Sequence, residues 1–200
     1  MSNTSSLETA AGNRTAAVAV DPALVEPLAK LCADLDVSLS SDEELFSLAV
    51  TLERGRALAD AAECAVLAEL DARDATGREF GHRTGRWLAV QSKVAPSTAK
   101  ERVTVGVALR RWFPEMWSAL VDGRISFDHC VVWTKASNVR IVDVFAEFQG
   151  EAIDTAQGLT FGKWKSYVDS LAALLDQDGS YDPAADVENN RLSLRPTPEG

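Results

Sequence analysis

Histidine, cysteine and long apolar runs are all scarce in this chain, and each scarcity excludes a class of function. Its 200 residues hold two histidines, His82 and His129. Asp122, Asp128 and Asp143 are not spaced as metal ligands and no metal cluster is evident, so no metal is expected. His129 reads as a structural histidine bonding a backbone carbonyl, and His82 as a solvated one. The three cysteines, Cys32, Cys64 and Cys130, are odd in number and widely spaced, with no CxxC pair. They read as small core residues. No apolar run approaches the roughly 20 residues of a membrane span, and the first residues lack a basic start followed by an apolar stretch. The expectation is a cytoplasmic protein with no membrane partner. A phosphate-cradling glycine loop and a nucleophile-base pair are missing as well, so no cofactor is expected and a catalytic role has the least support.

What is present is an uneven distribution of charge. The net charge is −10. Residues 1–76 carry 5 Lys/Arg against 14 Asp/Glu, net −9; residues 77–140 carry 11 against 5, net +6; residues 141–200 carry 4 against 11, net −7. The middle is a basic island in an acidic chain. Such an island is either an electrostatic footprint for phosphates or the internal partner of the acidic flanks.

Apolar content of 46% suffices for one sizeable core or two small ones, and its spacing is helical throughout. Residues 1–20 are small, polar and Ala-rich, a disordered tail by composition. A helical domain is expected over 21–180. Asp21 and Pro22 start a short helix with Leu24, Leu28, Leu31 and Leu35 at helical spacing. Ser41 and Glu44 form a capping box for a long helix running to about Arg73. Its stripe of Leu45, Leu48, Leu52, Ala59, Ala62 and Val66 is expected to pack, as scaffold or dimer contact, with Gly55 marking a bend or close crossing. Ala75, Thr76 and Gly77 end it. Further helices follow from Pro114, from a Ser126 cap, over 141–156, and from Thr160 to Asp176. Asn190–Pro196 alternates like a short C-terminal strand, and residues 181–200 have the composition of a linker. The fold class is therefore all-α, an irregular multi-helix domain with that one short strand.

The stretch from Gly81 to Ala136 organises the rest. A short helix around Trp87–Val90, a break at Ser92–Ala95, and a second helix to about Arg111 give a helix-turn-helix outline. Thr98 with Glu101 is the expected capping box of the second helix. At 100° per residue, Val105, Leu109 and Trp112 share its inner side, while Lys100, Thr104 and Arg111 share the opposite face. That face suits phosphates or a major groove. Arg83, Arg86 and Lys93 add backbone contacts, which position a protein without specifying sequence.

The segments GHRTGRWLAVQSKVAPSTAKERVTVGVAL, FPEMWSALVDGRISFDHCVVW and GLTFGKWKSYVDSLAALLD, then DPAAD and ENNRLSLRPTPEG, resemble a helical domain of unknown function. That domain precedes HNH endonuclease modules in many actinobacterial proteins, including the mycobacterial REP repeat family. The resemblance covers roughly residues 42–200 and implies a nuclease-associated module, with residues 181–200 leading toward a nuclease module that this sequence does not contain. An HNH site needs a histidine base and further histidines as metal ligands, and no histidine follows His129. The residues present argue against nuclease activity by this chain. A truncated product, a split gene product and a stand-alone regulator all fit. Two readings follow: a DNA-associated module that positions a nuclease, with duplex DNA as partner, or a helical interaction module that forms a homodimer or docks a nuclease without touching DNA.

Overall fold

In the computed structural model, which describes residues 21–176, ten α-helices and a single 3₁₀ turn at Val37–Leu39 make up the regular structure, with no strand among the described residues. The protein is all-α. The expected tail at 1–20, the strand at 190–196 and the linker-like 181–200 lie outside the described residues. The chain divides into two compact units at Arg110 and Arg111.

The first unit is built on a long helix. After α1 (Pro22–Asp34), Ser41 accepts from the Glu44 amide while the Glu44 carboxylate accepts from the Ser41 amide at 2.8 Å, the expected capping box, and α2 (Asp42–Ala72) runs 31 residues from it. Its buried face is not the expected stripe. Ala57, Ala61, Cys64, Leu67 and Ala68 are buried, whereas Leu52, Ala59, Ala62 and Val66 are exposed and Leu45 and Leu48 half-buried. The face is chosen by α5 (Pro96–Arg111), which meets α2 through Gly106: a Cβ there would stand 2.6 Å from the Cys64 carbonyl oxygen. The close crossing is thus at Gly106. At Gly55, an added Cβ would meet nothing within 4 Å.

Asp74 takes the left-handed conformation (φ 46°), which turns the chain from α2 into α3 (Ala75–Phe80) where the sequence suggested a plain helix end. Gly81 (φ 68°) ends α3, and α4 (Thr84–Ser92) follows. Thr76 and Thr84, both buried, satisfy each other with a 3.2 Å hydroxyl contact. Leu67, Leu88, Ala99 and Val103 form the core here, with Leu70, Trp87, Val94 and Val107 against it. Helix α5 starts at Pro96, so Thr98 lies in its first turn and is not its cap. Proline fits there because the first-turn amides have no intrahelical acceptor. Burial pushes the Cys64 thiol up to about 12, an inert core thiol. Cys130 is also buried, but Cys32 on α1 is exposed, against expectation, because α1 buries no residue at all.

The second unit holds α6 (Pro114–Asp122), α7 (Phe127–Ala136), α8 (Val142–Ala146), α9 (Gln149–Gly158) and α10 (Phe161–Leu175). The helix expected over 141–156 is thus two helices. Helix α10 packs on α7, α8 and α9, and α6 on α7 and α9. Phe113, Met116, Trp133, Phe145, Trp164 and Val168 are fully buried. Trp133 stacks on Phe145 with ring centroids 4.0 Å apart, and Phe113 meets both edge-on. The amide of Met116, unpaired in the first turn of α6, donates to Oε1 of the buried Gln149 at 3.3 Å; Gln149 Nε2 donates to the Ala146 carbonyl at 2.8 Å. A side chain 33 residues away therefore caps α6.

Candidate nucleic-acid interface

The basic island divides into cations that the fold consumes and cations that it leaves facing water. On α5, Arg102 binds Glu63 and Arg110 binds Glu69, both carboxylates on α2. Glu69 also binds Arg73, and the two guanidiniums, Arg73 first, hold its carboxyl below the usual range. For Arg102 and Arg110, pairing with the acidic flank is the reading that holds. Arg83, Arg86, Lys93 and Lys100 are all exposed, and no ion pair joins them to a carboxylate among the described residues.

Local geometry brings three of these four together. Arg83 is the extended residue that enters α4, and Arg86 stands in its first turn. Between them Gly85 lies against α5 so closely that a Cβ would be 3.3 Å from Lys100 Cα and 3.5 Å from its nitrogen. The start of α4 is thereby pressed onto the backbone that carries Lys100. Gly85 is the positioning residue that reading by charge alone passes over; a glycine inside a nine-residue helix is the signal that could have found it.

Lys93 ends α4 in the left-handed conformation at φ 57°, a strained position for a side chain with a Cβ. Thr104 is exposed, one turn beyond Lys100, but its hydroxyl donates to the Lys100 carbonyl at 2.9 Å and must release that bond to donate elsewhere. Arg111 is exposed as expected, yet it belongs to the second unit, with its guanidinium 4.6 Å from the centroid of the half-buried Trp112 ring. Val105 and Leu109 are buried, as the inner face requires.

His129 has a structural role of a different kind from that expected. Its Nδ1 accepts from the Ser126 amide at 3.2 Å and lies 2.8 Å from Ser126 Oγ, so the ring closes a capping box at the start of α7. It packs 4.5 Å from Trp164 and 5.0 Å from Phe161, and this burial lowers its pKa, opposed by the neighbouring Asp128. A depressed histidine pKa means that the unfolded chain takes up the proton first. Stability is expected to be full above the ordinary value of 6.5 and lost as pH falls through the lower folded value. Thermal melts from pH 8 to pH 5 should show this fall in the wild type and a shallower one in His129→Asn. His82 is half-buried, with Nδ1 3.0 Å from the Gly81 carbonyl oxygen, and not the fully solvated ring expected.

A cleft of about 250 Å³ in the second unit is lined by Pro114, Glu115, Ser118, Arg124, Gly150 and Asp154 among others. Its one hydroxyl, Ser118 Oγ, donates to the Pro114 carbonyl at 3.1 Å, and its one cation lies 3.7 Å from Asp122. No group of three or more His, Cys, Asp or Glu side chains able to hold a metal ion occurs among the described residues. No described helix is long and apolar enough to cross a membrane. Comparison of the chain with models of protein families, with curated proteins and with solved structures gave no match.

Proposed function

We propose that this chain is a DNA-associated helical module of the kind that accompanies an HNH nuclease, with Arg83, Arg86, Lys93 and Lys100 as its phosphate contacts. The observation that carries this reading is the sorting of the cations. Every one of these four points to solvent with no carboxylate partner among the described residues, while their neighbours Arg102 and Arg110 are neutralised. Cations that only balanced the acidic flanks would be paired as Arg102 and Arg110 are.

In this reading α4 and α5 act as a helix-turn-helix pair. The first turn of α5 carries no acidic residue, so the positive end of its dipole adds to Lys93 and Lys100 on either side of it. Such contacts neutralise backbone phosphates and carry no base readout. Thr104 lies on the same face as a secondary donor. The nuclease itself is supplied by another module.

The test is fluorescence anisotropy of a labelled duplex titrated with the chain as salt is raised. Affinity is expected to fall log-linearly with salt, with a slope of about 0.9 per phosphate neutralised. Arg86→Glu with Lys100→Glu should weaken binding by about tenfold or more and flatten the slope by about 2. Both residues are exposed, so the circular dichroism of the double variant should match the wild type. Unchanged affinity in that folded variant would remove the site, and no binding at low salt would remove the function.

A further inference from the structure

Helix α2 has two apolar faces, and among the described residues only one is buried by the chain itself. The face buried within the unit is Ala57, Ala61, Cys64 and Ala68. The other is Leu45, Leu48, Leu52, Ala59, Ala62 and Val66, with Gly55 on the same line, at alternating three- and four-residue steps that keep one side of a helix. Leu52 is 43% exposed and Val66 58%, and Gly55, Ala59 and Ala62 are exposed as well, while Leu45 and Leu48 are half-buried.

We propose that a second copy of the chain covers this face, its α2 lying antiparallel to the first. The order of side-chain sizes supports it. Three leucines occupy the N-terminal half of the stripe, and Gly55, Ala59 and Ala62 continue it. In the antiparallel register that sets Leu52 opposite Gly55 of the second copy, Leu48 falls opposite Ala59 and Leu45 opposite Ala62. The twofold axis repeats all three contacts. A closed homodimer requires such a self-complementary surface, and large against small is how two helix faces interdigitate. A parallel pair would set leucine against leucine at one end and leave the small residues facing each other at the other.

Gly55 supplies the second observation. A glycine inside a helix is unfavourable relative to alanine. Nothing among the described residues asks for one here: a Cβ would touch nothing within 4 Å, and Gly55 is not among the residues of positive φ. A close approach by a helix from outside gives it a role, beside the large Leu52 of the second copy. Phe46 and Val50, both 72% exposed, form a competing apolar surface. That surface continues into the buried line that begins at Ala57, so it offers a partner only the first turns of α2. The Leu45–Val66 stripe runs about 30 Å, exposed from Leu52 to Val66 and half-buried at Leu45 and Leu48.

A single helix pair is at the small end of specific interfaces, so dissociation constants in the micromolar range are expected. Sedimentation of the full chain from about 5 to 500 μM should show a monomer–dimer equilibrium. Leu48→Lys and Ala59→Glu should each raise the dissociation constant at least about tenfold. An equal mixture of the two variants should associate again: the introduced amine then faces the introduced carboxylate at one contact, and the symmetry-related contact keeps its native pair. If melts of dilute protein show Leu48→Lys unfolded, Leu45→Lys with Ala62→Glu tests the same register. A wild type that stays monomeric would overturn the proposal, as would a dimer indifferent to these substitutions, one abolished by Phe46→Glu instead, or variants that fail to re-associate on mixing.

Discussion

Truncating Trp164 to alanine is expected to cost about 3–5 kcal/mol. Trp164 is fully buried on α10, and its indole Nε1 donates to the Ala152 carbonyl of α9 at 2.8 Å. Its ring also backs His129, which closes the capping box of α7. Truncation would therefore open a cavity where α7, α9 and α10 meet and remove the indole bond to the Ala152 carbonyl, which keeps its helical bond within α9. Chemical denaturation followed by tryptophan fluorescence would measure the loss. The same experiment on phenylalanine variants separates volume from polarity. Trp164→Phe forfeits the bond to Ala152, whereas the buried Nε1 of Trp133 has no hydrogen-bond partner among the described residues, so Trp133→Phe removes an unsatisfied donor and should cost less. Equal losses at the two positions would show that the indole bond at Trp164 contributes nothing.

Gly106→Ala is expected to destabilise the first unit by about 1–3 kcal/mol, although alanine is the better helix former. The added methyl would meet the Cys64 carbonyl oxygen at 2.6 Å and the Cys64 Cα at 3.2 Å. Both are backbone atoms, so no rotamer change relieves the contact, and α5 must lift from α2. The salt links of Arg102 to Glu63 and Arg110 to Glu69 sit on either side of the crossing and would be strained with it. Gly55→Ala has the opposite expectation, about 0.5–1 kcal/mol of added stability, because its methyl enters open space. Melting temperatures of the two variants, taken on dilute protein, should move in opposite directions. If both rise, the crossing of α2 and α5 is looser than the contact at Gly106 implies.

Much of the helix layout was legible because its signals are local. Ser41 with Glu44, Pro114, Gly123 and Ser126 each act within one turn of themselves, and each marks an element boundary in the structure. The buried face of α2 was not legible. Both of its faces are apolar at helical spacing, and the choice between them is made by Gly106, far along the chain. The same limit explains Gln149, whose side chain caps α6 from α9, and the break between α8 and α9. Thr98 misled because Pro96 already opens α5 two residues earlier. At the basic island, exposure of Lys100, Thr104 and Arg111 followed from helical periodicity, whereas Arg83 and Lys93 flank α4 outside any helical period. Which other cations would be neutralised did not, because Glu63 and Glu69 reach α5 only through the tertiary crossing.

Helix α2 is continuous in geometry but divided in energetics. Its hydrogen-bond ladder runs unbroken from Asp42, yet the first residue it buries is Ala57. Cooperative opening is governed by what packs on a segment and not by the ladder alone. Amides between the capping box and Ala57 can open without disturbing the core, whereas those around Cys64 open only when the unit unfolds. Within one helix, amide-proton exchange therefore changes from fast to slow at Ala57. Any partner that settles on Leu45, Leu48 and Leu52 moves that boundary toward Ser41, lengthening the protected helix without adding a single backbone hydrogen bond.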